Sequence, residues 1–330
     1  MKHLSVISMI IGLLALCVLV IWQGIGEVIG LLMNSGWILL TITLMWLPAL
    51  YFLTESWRLV YRKEVEPPFW YSLAVTWMGR AVNNMLPVAT IGGEIAKARL
   101  ITHRGISGID ATAAMLVDKT VQVLALIFWG LIGVTSLIYL KEDDTFAMIV
   151  LVGFVLLSLG LGGFFLVQRA GMFHLLTRIG SKLVKSEKWA EKWDGISYNA
   201  QAVDKIVLEI YSNRSRFWWA VFIKTMGLVI QTGEVWLACH LLGFDIGIFE
   251  ALILKSLTST VSDVVFIIPN AYGIQEGAYM VIGALLGLSP DFSLAVSLAT
   301  RIRELVVDIP GLIYWQILEG KTLLKKRIAD

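Results

Sequence analysis

Six stretches of about 20 residues or more read as full membrane spans: Leu4–Trp22, Gly36–Thr54, Ile109–Leu140, Thr145–Val167, Phe217–Leu242 and Asp291–Leu318. At 1.5 Å of rise per residue, such a stretch matches the ~30 Å hydrocarbon layer of a bilayer. Lipid offers no partner for backbone N–H and C=O groups, so a segment of this length crosses as a helix. Composition agrees. The chain is 57% apolar and 16% charged, whereas a soluble domain is about a quarter charged. Its polar surface is too small to cover it in water. The expected fold is an all-α polytopic membrane protein with about six full spans. The apolar N-terminus, with no small-x-small site in the cleavage window, reads as an uncleaved first helix.

Two further apolar stretches are broken by proline. Phe69–Leu86 leads into Pro87 and a charged arm, Thr90–Arg104. Phe249–Ile268 leads into Pro269 and a second short arm, Gly273–Leu286. Proline removes a backbone donor and ends a helix, with Gly273 easing the second turn. Broken backbone at membrane depth survives only inside protein or along a cavity. Both stretches are therefore expected to be re-entrant hairpins, with breaks at Pro87, Pro269 and Gly273.

Basic residues set the orientation. With the N-terminus in the cytoplasm, 20 of the 27 Lys and Arg fall on the inside and only Lys141 lies in an outside loop, as the positive-inside rule requires. Both termini are then cytoplasmic, in a bacterial inner membrane. The 168–216 segment carries nine basic against five acidic residues. It reads as a cytoplasmic amphipathic loop lying on the anionic membrane surface.

The chain also resembles itself. Sliding Pro87–Ile127 onto Pro269–Ile309 without a gap gives nine identities in 41 positions, among them Glu94 on Glu276. Lys119 falls on Arg301 and Gln122 on Glu304. Glu55-Ser56-Trp57 further matches Glu234-Val235-Trp236. Combined with the topology, this gives one membrane domain over residues 1–330, built from inverted repeats at about 36–140 and 217–318. Inverted repeats with broken helices that meet near the midplane are the architecture of many transporters.

Ionisable residues in membrane segments mark candidate function. Glu94 and Glu276 each lie seven residues after a proline, where a glutamate either carries charge chemistry or caps its helix. Arg301, Glu304 and Asp308 share a helix face, with Arg303 beside them. Asp118, Lys119 and Gln122 occupy the corresponding region of the first repeat. A desolvated arginine grips phosphate in bidentate fashion, and the competing reading is an internal pair of Arg301 with Glu304. Arg80, Asn83 and Asn84 on one hairpin and Asp263 and Asn270 on the other would complete a polar lining, or simply close a broken helix. Lys224 and Glu234, ten residues apart on one span, do not pair directly, and each answers a charge elsewhere. Trp22, Trp37, Trp57, Trp70, Trp218, Trp219 and Trp315 fall near span ends and read as an interfacial belt. Cys17 and Cys239 lie in apolar stretches and read as buried side chains. No cofactor, metal or catalytic motif is expected, and a net charge of +2 gives no reason to expect nucleic acid.

The run Ile268-Pro269-Asn270-Ala271-Tyr272-Gly273-Ile274-Gln275-Glu276-Gly277 resembles the proline–glycine–glutamate region of the lysylphosphatidylglycerol synthase membrane-domain family. Leu86-Pro87, Gly92-Gly93-Glu94 and Asp118-Lys119 are similar to that family's first-repeat pattern. Leu286 to Pro290, Arg301 to Leu305 and Pro310-Gly311 resemble a branch associated with hopanoid biosynthesis. The resemblance implies a flippase or lipid transporter, with membrane lipids as its partners. It gives no reason to expect lysyl transfer, because no aminoacyl-transferase domain follows. The alternatives are a non-catalytic partner of lipid-biosynthesis enzymes, using the Gly153–Gly163 face or self-association, and an embedded lipid-modifying enzyme.

Overall fold

The computed structural model describes residues 36–86, 92–140, 187–264 and 269–329, with isolated helical positions at 33, 152, 155 and 159. The spans expected at Leu4–Trp22 and Thr145–Val167, the break at Pro87, Trp22, Cys17 and the Gly153–Gly163 face lie outside these residues. The described residues form helices α1 (Thr41–Leu59), α2 (Phe69–Met85), α3 (Gly92–Thr102), α4 (Gly108–Leu140), α5 (Glu187–Ser212), α6 (Arg214–Ile230), α7 (Thr232–Leu241), α8 (Ile248–Val264), α9 (Ile274–Leu285) and α10 (Pro290–Ala329). No strand occurs among them.

Among the described residues, three helical segments are long and apolar enough to cross a membrane, at Gly36–Leu59, Gly108–Leu140 and Arg214–Leu241. The last is expected as one span but has its helical pattern interrupted at Gln231, between α6 and α7. The Asp291–Leu318 stretch lies within α10, where buried Arg301, Arg303, Glu304 and Asp308 interrupt its apolar run.

Each proline-containing stretch is two helices. Pro67-Pro68 precede α2, and the Pro68 carbonyl accepts from Ser72 Oγ at 3.0 Å. Helices α2 and α3 pack antiparallel: Tyr71 Oη donates to Leu100 O at 2.6 Å, and Gly93 N donates to Asn83 Oδ1 at 2.7 Å. The close approach needs glycine, because a Cβ at Gly93 would collide with the Gly79 carbonyl oxygen. On the other side, α8 and α9 are joined through a 3-10 turn, Pro269–Ala271. That turn places Asn270 at φ 53° and Ala271 at φ 47°, a conformation that costs a non-glycine residue about 1 kcal/mol or more.

Corresponding elements recur at one spacing. Helices α3 and α9 begin 182 residues apart, as do α4 and α10. Gly105 and Gly287, also 182 apart, follow α3 and α9 at φ 82° and 84°. Gly287 sits at the left-handed position that ends a helix, with Leu288 N donating back to Gly283 O at 2.9 Å. Helices α1 and α6 run antiparallel. Ser56 Oγ donates to Ala220 O, and Arg216 Nε donates to Leu59 O, each at 2.9 Å. The two short helices before the breaks cross over: α2 packs on α10, and α8 packs on α4. Trp77 lies against Gly311, and Trp129 Nε1 donates to Ser259 Oγ at 3.0 Å. A shift of 182 residues carries Trp77 onto Ser259 and Trp129 onto Gly311, so one contact is the other with the halves exchanged.

Among the described residues, two large apolar clusters lie inside, with a smaller one around Trp46, Ala49, Leu50 and Val307. One joins Trp57, Val75, Met78, Leu100, Val117 and Phe217. The other joins Val235, Ile253, Leu254, Tyr279, Leu294 and Val296. In α5, Val203, Val207 and Ile210 recur at helical spacing and pack into the first cluster. The described part of the amphipathic segment thus lays its apolar face on protein rather than on a lipid surface. Of the tryptophans expected at the interface, Trp37, Trp70, Trp218 and Trp219 are exposed, whereas Trp57 is a core residue.

The glycine contact gives a testable asymmetry. Gly93→Ala should destabilise the protein by about 2 kcal/mol and lower its unfolding midpoint in detergent by about 5 °C. Gly108→Ala, where an added Cβ meets nothing within 4 Å, should leave the midpoint unchanged.

Candidate functional site

The charged residues of the apolar helices are scattered along the sequence, yet the fold gathers them into two buried networks. The first is built where the N-terminal turn of α3 meets the middle of α4. Glu94 lies in the first turn of α3, where a carboxylate also faces the positive end of the helix dipole. Its Oε2 is 2.7 Å from Lys97 Nζ, and its Oε1 is 3.2 Å from Lys119 Nζ. Lys97 Nζ donates to Asp118 Oδ2 at 3.1 Å, and Lys224 Nζ, from α6, donates to Asp118 Oδ1 at 2.5 Å. Lys119 also donates to Gln122 Oε1 at 3.1 Å. The result is an alternating chain: Lys119, Glu94, Lys97, Asp118, Lys224. The Lys97 ammonium also lies 5.2 Å from the Trp57 ring centroid, a favourable cation–π position.

The second network is built where α9 meets α10. Glu276 stands in the first turn of α9 and serves twice. Its Oε2 accepts from Gly273 N at 2.7 Å, capping the helix, and its Oε1 accepts from Arg301 Nε at 2.8 Å. Arg301 Nη1 donates to Glu304 Oε2 at 2.9 Å, and Asn270 Nδ2 donates to the same oxygen at 3.0 Å. Arg303 engages Glu234 of α7 with both arms, Nη2 at 3.1 Å and Nε at 3.0 Å. Lys255 of α8 donates to Glu234 Oε1 at 2.6 Å. Arg80 Nε and Asn84 Nδ2 of α2 reach Asp308 at 3.0 and 2.7 Å. Trp46 of α1, fully buried, lies against two guanidinium groups, 4.1 Å from that of Arg80 and 4.9 Å from that of Arg303.

The two networks share a unit. Lys119 meets Glu94 and Gln122, and Arg301 meets Glu276 and Glu304. Each residue of the first set lies 182 positions before its counterpart in the second. In both halves a cation on the long helix grips the glutamate at the start of the short one.

The residues expected to matter are therefore placed as follows. Glu94, Asp118 and Lys119 come together. Glu276, Arg301, Arg303, Glu304 and Asn270 come together, and Arg80 and Asn84 join them through Asp308. Asn83 instead holds the Gly93 amide, and Asp263 is exposed. Lys224 and Glu234 do answer charges elsewhere. Lys97, Lys255 and Trp46 escaped the expected site. Their signals were a lysine in mid-helix among apolar residues and a tryptophan away from any span end. Pairing is what makes the burial tolerable, because a desolvated lone charge costs several kcal/mol. Among the described residues, no group of His, Cys, Asp and Glu is placed to hold a metal ion.

The family model described as lysylphosphatidylglycerol synthase TM region matches residues 9–311. A UPF0104 membrane protein of Methanothermobacter thermautotrophicus is 22% identical over 319 residues, which is 92% of this chain and 91% of that protein. No solved structure matches the chain.

Asp118 bridges two lysines, so removing its charge strands both. Asp118→Asn should cost about 3–5 kcal/mol of stability. Adding Lys224→Met should recover a substantial part of that loss by removing one stranded cation. Thermal unfolding of the single and double variants measures both effects.

Proposed function

We propose a function from one premise: the chain belongs to the lysylphosphatidylglycerol synthase TM-region family, and it is a membrane protein. It moves a lipid headgroup across the cytoplasmic membrane, as a flippase or lipid transporter. The observation that carries this reading is the repeated unit of a broken helix, a buried glutamate at its restart and a cation from the following long helix.

A headgroup crosses hydrocarbon only if the protein replaces its hydration with fixed charges and dipoles. Two such sites, built from equivalent parts of the two halves, provide a stepwise path. Ion pairs suit the task because each can open to a polar headgroup and close again with its own partner. We read the halves, about 36–140 and 217–318, as inverted repeats with the two broken stretches as re-entrant hairpins. The antiparallel packing of α1 on α6 and the exchanged contacts of α2 and α8 support that reading. The basic-residue distribution supports cytoplasmic termini. Glu94, Glu276, Lys119 and Arg301 form the gates of the path. Membrane lipids are the partners, and lipid-biosynthesis enzymes are the proteins expected to supply them.

In vesicles carrying fluorescent lipids, the wild-type protein should accelerate movement between leaflets over empty vesicles. Glu94→Gln and Glu276→Gln should each slow that movement by about tenfold, the effect of about 1.4 kcal/mol on the barrier. Wild-type protein that moves no lipid, or variants that move it at the wild-type rate, would overturn the reading.

A further inference from the structure

We propose that the cleft between α1 and α2 is a separate lipid site, in which a zwitterionic phospholipid is held with its ammonium group at Glu55, outside both charged networks.

The cleft has a volume of about 530 Å³ and is walled by the second half of α1 and the first turns of α2. Leu47 and Leu73 line its apolar part, and Glu55 and Arg58 line its charged end. Leu47 and Arg58 are 11 residues apart, about 16 Å along a helix and so about half of the ~30 Å hydrocarbon layer. The cleft is therefore as long as one leaflet, apolar below and charged above, which is the form of a single upright lipid. Its charged end leads to Arg62 and Lys63, the cytoplasmic side by the positive-inside rule. None of the lining residues belongs to either network.

The charges at that end select the headgroup. Arg58 is fully engaged: Nε donates to Pro67 O at 2.9 Å, Nη1 to Glu55 Oε2 and Nη2 to Glu66 Oε1, both at 2.6 Å. Glu66 is engaged on both oxygens, since Oε2 accepts from Arg216 Nη2 at 2.5 Å. Arg62 pairs with Asp110 and Glu209, and Lys63 and Glu64 do not line the cleft. Glu55 alone is half engaged. Its Oε1 has no partner among the described residues, and its side chain keeps 28% of its surface exposed. The end thus offers no open cation to an anionic headgroup and one open carboxylate oxygen to a cationic one.

Aromatic rings stand beside that oxygen. Tyr51 lies one turn before Glu55 on α1, its ring 5.2 Å from that of Phe69, which is 5.2 Å from that of Trp70. The Arg58 guanidinium already lies over Phe69, at 5.7 Å. Tyr51 and Trp70 remain open, 52% and 78% exposed. Tryptophan and tyrosine at this depth are common in any interfacial belt. Here they flank a half-used carboxylate, and a carboxylate among ring faces is the chemistry that holds an ammonium.

Native mass spectrometry in detergent tests the site. Wild-type protein should bind phosphatidylethanolamine about tenfold more tightly than phosphatidylglycerol, as expected for one partly exposed ion pair with a cation–π contact. Phosphatidylcholine should share the preference, because its ammonium carries the same charge to the same rings. Glu55→Gln should bring the ratio close to one with little change in the unfolding midpoint, since Glu66 still pairs Arg58. Trp70→Leu, at an exposed position, should lower the ratio about threefold. Equal binding of ethanolamine and glycerol lipids by wild type, or a preference that survives Glu55→Gln, would overturn the inference. So would a preference lost in Glu94→Gln and kept in Glu55→Gln, which would move recognition to the buried network.

Discussion

The grip of a long-helix cation on the glutamate that restarts a broken helix, Lys119 on Glu94 and Arg301 on Glu276, ties each half of this protein together. Everything near the breaks depends on it. A helix that stops inside an apolar bundle leaves backbone donors without partners, and its restart presents a cluster of N–H groups. A carboxylate satisfies those donors but brings a charge that cannot remain unpaired there. The cation answers that charge and also fixes the angle between the short helix and the long one that follows. At Glu276 the two duties fall on two oxygens of one side chain.

The second break is strained. Asn270 and Ala271 both adopt left-handed backbone conformations just before α9. Asn270 tolerates this better than most residues, and its side chain is held by Glu304. The strained turn is thus tied to the network by a direct hydrogen bond. A change in how Glu304 is engaged therefore reaches the turn directly, which gives the break a mechanical connection to the ion pairs.

Between the halves, contact is made crosswise. Each short helix before a break packs on the long helix of the other half, through Trp77 with Gly311 and Trp129 with Ser259. Arg80 carries the same crossing into the charged interior, reaching Asp308 from α2. Neither half closes its own polar interior. The Trp46 ring lies against both Arg80 and Arg303 and offers the two cations an aromatic surface with no competing charge. The halves are alike in plan and differ where the amide of Gln122 stands in place of the carboxylate of Glu304.

Much of this was legible in the residues alone. Long apolar runs dictate membrane helices, because a bilayer leaves the backbone no partner but itself. Prolines at fixed distance from Glu94 and Glu276 locate the interruptions, and the 182-residue offset picks out Lys119 with Arg301 and Gln122 with Glu304 before any coordinate is known. Local spacing also suggests the pair of Arg301 with Glu304. What the sequence could not supply was partnership at a distance. Asp118 meets Lys224 across 106 residues, and Arg303 meets Glu234 across 69. Trp57 reads as an interfacial residue by its position near a span end and is instead buried under Lys97. A side chain's period and neighbours determine the helix it belongs to and the face it occupies. Which charge it meets depends on how helices cross, and that is settled by the packing of the whole bundle, where every desolvated ion must find its opposite.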